Sequence, residues 1–166
     1  MKKTLFYFLF AIGVISACNK DDTCPTGYTG SSCSTQITPS KIIVSKIEVI
    51  RFPATDANGA GWDLTSGADI YPEISYNGSV VYTSSTYYTD ANPNSIYVFD
   101  LSPSFDVHNP LSTYTIRLYD YDNLDADDYM GGITFTPYES SNNFPSVITI
   151  DAGGAVAFKL HLTYIF

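Results

Sequence analysis

Two acidic segments of the chain carry aspartates at spacings that suit the binding of a cation. The segment 118–131 begins as a strand, turns through an acidic loop and leaves as another strand. Asp120 and Asp122 project on the same side of an extended chain, and Asp128 returns from the far end of the loop. The segment 62–71 repeats the six-residue spacing of Asp122 and Asp128. The candidate ligands are Asp63, Asp69, Asp120, Asp122 and Asp128.

Carboxylates clustered in this way favour a calcium site. Ca²⁺ takes about six to eight oxygen ligands at about 2.3–2.6 Å, and bidentate carboxylates suit it. Without a cation, two unit charges about 4 Å apart repel by about 4 kcal/mol at an effective dielectric constant of about 20. The alternative is that the acidic loops are solvated turns, because aspartate favours turns. Asp56, Asp125 and Asp127 are expected to be solvated, with Asp127 the best candidate for an additional ligand.

Catalytic constellations are hard to assemble from this sequence. There is no glycine-rich phosphate loop and no pair of histidines at metal-binding spacing. His108 lies in a predicted turn and His161 on the predicted wet face of the last strand, so both are expected at the surface. A glycosidase needs a pair of carboxylates, and nothing singles one out. These observations predict a binding module and not an enzyme.

The N-terminus has the features of a secretory signal. Two lysines precede a mostly apolar stretch over 5–15, which is shorter than the ~20 residues needed to cross a bilayer. The segment Ile15–Cys18 resembles the lipobox of bacterial lipoproteins, in which the cysteine is diacylated. The resemblance implies a signal peptide at 1–17 and a lipid anchor on Cys18 that is stable in a membrane. The alternative is an ordinary signal peptide cut after Ala17.

The mature chain that this implies is strongly acidic. It keeps six basic and 17 acidic side chains, a formal charge of −11. That charge repels nucleic acid and anionic lipid as simple electrostatic partners, and it attracts cations. Lys20-Asp21-Asp22 resembles the acidic surface-export tag of some Gram-negative lipoproteins. The resemblance implies an outer-membrane lipoprotein exposed at the cell surface.

Two further cysteines are expected to pair. Once Cys18 is acylated, Cys24 and Cys33 form an even pair in an oxidising compartment, where a disulfide is the default. The segment between them resembles the last loop of an EGF-like module, although the four upstream cysteines of that family are missing. The sequence therefore predicts a lipidated tether over 18–40 that contains an EGF-like disulfide hairpin.

Beyond the tether, tyrosine, valine, isoleucine and threonine alternate in the manner of strands. The last strand is the clearest: the even-numbered residues of 158–166 are apolar or aromatic, while Lys159, His161 and Thr163 are polar. The pattern over 41–166 predicts an all-β domain, an eight-stranded antiparallel β-sandwich. The predicted strands are 41–52, 70–76, 79–87, 95–101, 113–119, 130–136, 146–150 and 155–166.

The two acidic loops resemble the calcium-binding loops of C2 domains, the calcium-dependent lipid-binding β-sandwiches of protein kinase C and synaptotagmin. In that family the first loop supplies two aspartates and the third supplies three, and the five candidate ligands match those places. The resemblance implies a C2-like sandwich that binds Ca²⁺ and docks on a membrane, protein or glycan partner. Leu64 and Leu124 would then lie at loop tips, where related domains insert apolar side chains. One departure is Ile70, which stands where the family usually has proline.

A second hypothesis is a carbohydrate-binding sandwich of a surface uptake system, in which calcium is only structural. Tyr82, Tyr87, Tyr88 and Tyr97 could supply a platform on which a sugar ring stacks. The chain has 14 tyrosines, however, and a sandwich with one wet face uses many of them for packing. A third hypothesis is an enzyme accessory domain or a hydrolase, which would need a cleft holding two carboxylates of raised pKa.

Overall fold

The structure is a computed structural model that describes residues 24–63 and 66–166. The predicted signal peptide at 1–17, the predicted anchor residue Cys18 and the loop residue Leu64 lie outside the described residues. Within the described ranges, no helix is long and apolar enough to cross a membrane. The described chain comprises the end of the tether and the domain that follows it.

Eleven β-strands form in the described residues. They are β1 (Tyr28–Thr29), β2 (Thr35–Gln36), β3 (Lys41–Arg51), β4 (Ala68–Tyr76), β5 (Ser79–Thr83), β6 (Tyr88–Ala91), β7 (Tyr97–Val107), β8 (Tyr114–Asp120), β9 (Asp128–Phe135), β10 (Val147–Ile150) and β11 (Ala157–Ile165). Strands β1 and β2 form a hairpin in the tether, and β3 to β11 build the domain.

The nine strands of the domain form two sheets. One sheet has the order β10-β11-β3-β7, and the other has the order β5-β4-β8-β9 with β6 also pairing to β4. Every pairing in both sheets is antiparallel. The predicted all-β antiparallel sandwich is therefore confirmed.

Strand β6 is the element that the sequence pattern did not predict. Tyr88, Thr89 and Asp90 are exposed and only Ala91 is buried. Asp90 also has a φ of 52°, in the left-handed region. A strand of four residues without alternating burial carries no two-residue period. The predicted strand over 79–87 instead ran past the end of β5 at Thr83 and stopped just before β6.

The core between the sheets comes from residues that alternate along the strands. In β11 the predicted alternation is confirmed, with Phe158 and Leu160 fully buried. In β3 the buried positions skip from Val44 to Ile47, and a register shift against β7 accompanies that step. Strand β8 alternates without interruption, and its last inward position is Asp120. The alternation that places apolar side chains in the core therefore also places a carboxylate at one end of the core.

The two ends of the sandwich carry different groups. One end, the acidic pole, is formed by the connections 52–67, 92–96, 121–127 and 151–156. The other end, the tether pole, is formed by the connections 77–78, 108–113 and 136–146. Strand β3 runs from one pole to the other over 11 residues. At about 3.3 Å per residue, the poles lie about 35 Å apart.

The tether hairpin packs on the tether pole. A disulfide joins Cys24 to Cys33, as predicted. The ring of Tyr28 meets Phe144 edge-on at a centroid distance of 5.4 Å, and Phe144 meets Phe166 edge-on at 5.0 Å. Aromatic pairs in this geometry stabilise beyond the area that they bury. The hairpin is therefore attached to the domain through these rings, in addition to the chain itself.

A glycine in the hairpin provides a test of this attachment. Gly27 has a φ of 88°, and a Cβ there would lie 2.6 Å from Phe166 Cζ and 2.8 Å from Phe144 Cε2. We expect Gly27→Ala to displace the hairpin, lower the melting temperature and speed amide hydrogen exchange in the hairpin. Gly30→Ala is the matched control, because Gly30 has a φ of 91° but a Cβ there meets one atom at an ordinary 3.5 Å. Equal exchange rates in the two variants would contradict the attachment.

Candidate functional site

Asp120 lies at the base of the acidic pole and is 0% exposed. It takes the inward position that follows Leu118 on β8. Its Oδ1 accepts a hydrogen bond from the backbone N–H of Asp69, whereas its Oδ2 is buried without a hydrogen-bond partner. A buried carboxylate oxygen without a partner is costly. This position therefore favours either a cation or a bound proton.

Both burial and nearby negative charges act on the pKa of Asp120. Burial raises the pKa of Asp120 to about 6, and the carboxylates of Asp63, Asp122 and Asp69 add to the increase. The pKa of Asp122 is also raised, first by loss of solvent and then by Asp128 and Asp63. Each of the five predicted ligands is thus within electrostatic range of at least one other.

Three of the five predicted ligands border one open cavity of about 460 Å³ at the acidic pole. The hydroxyl of Ser66 donates a hydrogen bond of 2.8 Å to Asp63 Oδ2 on its rim. Asp125 also reaches the cavity, although its sequence position indicated only a solvated residue. The lining residues are Trp62, Asp63, Ser66, Asp122, Asp125, Ala126 and Asp128. The lining thus contains four carboxylates and no basic side chain.

Asp69 connects the loop 52–67 to its neighbours. Its backbone carbonyl accepts a hydrogen bond from the N–H of Tyr121 at 2.8 Å, and its Oδ1 accepts one from the N–H of Asp90 at 3.0 Å. Asp90 Oδ1 in turn accepts from the N–H of Gly67 at 3.2 Å. Asp90 is therefore part of the framework of the site. The sequence offered no signal for it, because a single aspartate in a short exposed strand has no informative spacing.

The carboxylate of Asp127 stabilises the loop 121–127 by accepting two hydrogen bonds. Its Oδ1 accepts a hydrogen bond from the N–H of Asp122 at 3.1 Å, and its Oδ2 accepts one from the hydroxyl of Tyr71 at 2.5 Å. Burial raises the pKa of Tyr71, and the hydrogen bond to Asp127 raises it further, so the phenol remains a donor. The prediction of a simply solvated Asp127 is wrong, because both of its oxygens bind groups of the protein. Its position supports that of Asp122.

Asp56 has a local structural role. Its Oδ1 accepts hydrogen bonds from the N–H groups of Asn58 and Ala60, each at 2.8 Å. These hydrogen bonds, above all that from Ala60, hold the pKa of Asp56 below its usual value. Asp56 therefore closes the turn 56–60 on the approach to the acidic loop.

The carboxylates of the acidic pole do not form a closed ligand shell. Across residues 24–63 and 66–166, no group of three or more histidine, cysteine, aspartate or glutamate side chains is arranged to hold a metal ion. The donor set nonetheless fits calcium, since it consists of oxygens alone and has the unpartnered Oδ2 of Asp120 at its base. Neither Asp69 nor Asp120 lines the cavity, so the structure does not bring all five predicted ligands to one surface.

One apolar side chain projects from the acidic pole. Leu124, at the tip of the loop 121–127, is 95% exposed. Its counterpart in the prediction, Leu64, lies outside the described residues. A single exposed leucine is common on protein surfaces, so its position beside the carboxylates, and not its exposure alone, makes it a candidate contact.

Neither histidine contributes to the acidic pole. His108 is exposed in a turn of the tether pole. His161 is half-buried, and its Nε2 lies 2.5 Å from Glu48 Oε1 across the pairing of β11 with β3. His161 lies on the outward face of β11 as predicted, and it is only partly exposed because a cross-strand carboxylate engages the ring.

The four tyrosines predicted as a sugar platform do not share one surface. The ring of Tyr82 packs near Phe105, and burial raises its pKa. The hydroxyl of Tyr88 donates to the backbone carbonyl of Val98, and the ring of Tyr97 packs against those of Tyr88 and Phe52. These three side chains therefore pack against other parts of the domain.

The remaining platform candidate has a different partner. The ring of Tyr87 is 43% exposed and stacks on that of Tyr121 at a centroid distance of 4.5 Å. Tyr121 was not among the predicted aromatic residues, because it lies in the acidic segment and the two rings meet only in the folded chain.

No protein-family model and no curated protein matches this chain. Among solved structures, one described as a C2 domain is 13% identical, with a TM-score of 0.46 over 74% of this chain and 97% of that one. A single C2 domain of plant Extended Synaptotagmin 1 is 14% identical, with a TM-score of 0.46 over 79% of this chain and 99% of that one. The calcium-bound pair of C2 domains of Extended-Synaptotagmin 2 is 18% identical, with a TM-score of 0.43 over 77% of this chain and 47% of that one. The likeness to these C2 domains concerns the β-sandwich fold.

Proposed function

We propose that the acidic pole binds Ca²⁺ and that the calcium-filled loops dock on a partner, so that the protein acts as a binding module and not as an enzyme. The observation that carries the proposal is the buried Oδ2 of Asp120, which has no hydrogen-bond partner and lies among other carboxylates. A divalent cation would neutralise the mutual repulsion of these groups and supply the missing partner.

The residues that would hold the ion come from two loops and the adjoining strand ends. Asp63 lies in the loop 52–67 and Asp122 in the loop 121–127, whereas the others lie at the strand ends beside these loops: Asp69 in β4, Asp120 at the end of β8 and Asp128 at the start of β9. All of their side-chain donors are oxygens, which suit a hard cation with a large and flexible coordination shell. The N–H of Asp69 donates to Asp120, and Asp69 Oδ1 accepts from the N–H of Asp90. With the hydrogen bond that Asp127 accepts from the N–H of Asp122, these contacts would hold the backbone beside the ion in place.

We also propose that the protein is attached to a membrane through its N-terminus. Cys18 would carry the acyl chains of an outer-membrane lipoprotein exposed at the cell surface. Because Cys18 lies six residues before Cys24, the chain between them can span at most about 20 Å. The acidic pole, about 35 Å from the tether pole, would therefore face away from the anchoring bilayer. This arrangement favours a membrane, protein or glycan partner on the far side of the domain.

The exposed leucine allows docking to be tested separately from calcium binding. In the presence of Ca²⁺, we expect Leu124→Ser to weaken docking by about tenfold or more, because a leucine buried at a contact contributes about 1.5–3 kcal/mol. Its affinity for Ca²⁺ should not change. Leu111→Ser is the matched control, because Leu111 is 61% exposed but lies in the connection 108–113 at the tether pole.

The screen uses the full chain with Ca²⁺ and with chelator. The probes are vesicles of phosphatidylcholine and phosphatidylserine, a glycan array and immobilised surface proteins of the source cell. The proposal predicts binding that needs Ca²⁺, is weakened by Leu124→Ser and is unaffected by Leu111→Ser. Partner binding of equal strength in chelator, or equal sensitivity to both substitutions, would contradict it.

A further inference from the structure

A second recess lies beside the acidic pole and is built mainly from tyrosine and hydroxyl side chains. This tyrosine cleft has a volume of about 360 Å³. It lies between the connection from β5 to β6 and the loop 121–127. The cleft is lined by residues 83–87 together with Tyr71, Tyr121 and Asp127.

The walls of the tyrosine cleft are held by contacts within the protein. The rings of Tyr87 and Tyr121 stack with an interplanar angle of 22°. The ring of Tyr71 stacks on that of Tyr119 at 5.6 Å, while its hydroxyl is fixed by Asp127. A site whose aromatic walls are already ordered loses less entropy when a ligand binds.

The opposite wall is ordered in the same way. The backbone N–H of Ser84 donates to the carbonyl of Pro72 at 3.0 Å, and the hydroxyl of Ser84 donates to the carbonyl of Thr86 at 2.7 Å. The connection from β5 to β6 is therefore pinned to β4. Both walls are in place before a ligand arrives.

The polar groups of the tyrosine cleft restrict what it can bind. Its lining has no lysine or arginine and contains one carboxylate, which disfavours anions. Residues 83–86 contribute four aliphatic hydroxyls. That of Ser84 already donates within the protein and can only accept from a ligand, whereas the other three can donate and accept. A carboxylate has about four acceptor positions, so Asp127 can accept hydrogen bonds beyond the two it already receives. The cleft therefore suits a neutral ligand that has many hydroxyl groups and one apolar face.

We propose that the tyrosine cleft binds a neutral pyranose ring of a glycan. The C–H face of the sugar packs on the exposed side of the tyrosine pair, and its hydroxyls bind Asp127 and the hydroxyls of residues 83–86. This site differs from the platform expected from the sequence, because only Tyr87 is common to both. It also goes beyond the calcium site, since none of its contacts requires a metal ion.

The test is a screen of the full chain on an array of neutral oligosaccharides of glucose, galactose and mannose in chelator, followed by calorimetric titration of the best hit. We expect Tyr87→Ala to weaken binding by about tenfold or more, through loss of the stacked ring. Ser85→Trp should abolish binding, because it fills the cleft and leaves the tyrosines in place. Leu111→Ser is the control: Leu111 is 61% exposed at the tether pole and does not line the cleft, so binding should be unchanged.

Several results would overturn the glycan site. One is the absence of any hit among neutral oligosaccharides, and another is a hit that Tyr87→Ala and Ser85→Trp leave unchanged in variants with normal melting curves. Binding only of tetramethylammonium, used as a second probe, would assign the cleft to organic cations instead. Because the titrations are made in chelator, a failure here is distinct from a failure of the calcium proposal.

Discussion

Ca²⁺ at about 10 mM is expected to raise the melting temperature of the wild-type chain by roughly 4 to 10 °C. Extracellular calcium modules have dissociation constants of about 10⁻⁴ to 10⁻³ M. A ligand that binds only the folded state then stabilises it by about 1.4 to 2.7 kcal/mol at this concentration. For a domain of this size, each 1 kcal/mol corresponds to about 3 to 4 °C. Mg²⁺ should have a smaller effect, because it dehydrates reluctantly and requires an octahedral site.

The double variant Asp120→Asn and Asp122→Asn separates repulsion from ion binding. It removes two negative charges, one of them buried, while preserving size and the acceptor for the N–H of Asp69. In chelator the melting temperature of the double variant should be equal to or higher than that of wild type. In Ca²⁺ the double variant should lose any such advantage, because wild type gains stability from the bound ion and the double variant does not. The matched control is Asp100→Asn with Glu139→Gln, which removes two exposed charges away from the acidic pole and should leave the calcium shift intact.

In chelator, the difference in stability between the double variant and wild type should also depend on pH. The pKa of Asp120 is raised to about 6 in the folded chain, so its charge costs stability above that pH. As the pH falls through about 6, the folded chain binds a proton that the unfolded chain does not, and the cost is relieved. The stability difference between the double variant and wild type should therefore shrink between pH 7 and pH 5. A difference that does not change with pH would contradict the account of Asp120.

Substitution of Cys18 is expected to have the largest effect on where the protein is found. If Cys18 carries the acyl chains, Cys18→Ser leaves no anchor and should move the protein from the membrane fraction to the soluble fraction. The reason is that stable attachment depends on acyl chains, each contributing about 0.8 kcal/mol per buried methylene. Fractionation and mass spectrometry of the N-terminal peptide measure the outcome.

The matched control for the anchor is the double variant Cys24→Ser and Cys33→Ser. It removes the other two cysteines of the chain, which are joined to each other, and should remain in the membrane fraction. Retention of Cys18→Ser in the membrane, or an unmodified Cys18 in the wild-type peptide, would contradict lipid anchoring.

The parts of the fold that depend on local period could be predicted from the sequence. Alternation in β11 and β8 indicated which residues face the core, and the same period extends to Asp120 at the end of β8. Strand β6 could not be predicted, because three of its four residues are exposed and Asp90 adopts a left-handed backbone.

The parts of the site that depend on long-range contacts also escaped prediction. The hydroxyl of Tyr71 reaches Asp127 from 56 residues away, and Tyr87 stacks on Tyr121 from another strand connection. No spacing in the sequence encodes such pairs. The same is true of the contact between Tyr28 and Phe144, which joins the hairpin to the domain.

Calorimetric titration of Ca²⁺ into the full chain measures directly whether the acidic pole is a calcium site. We expect saturable binding with a dissociation constant of about 10⁻⁴ to 10⁻³ M, weaker binding of Mg²⁺, and loss of calcium binding in the Asp120→Asn and Asp122→Asn double variant. The absence of saturable binding up to about 10 mM Ca²⁺, or equal binding by the double variant, would contradict the calcium proposal.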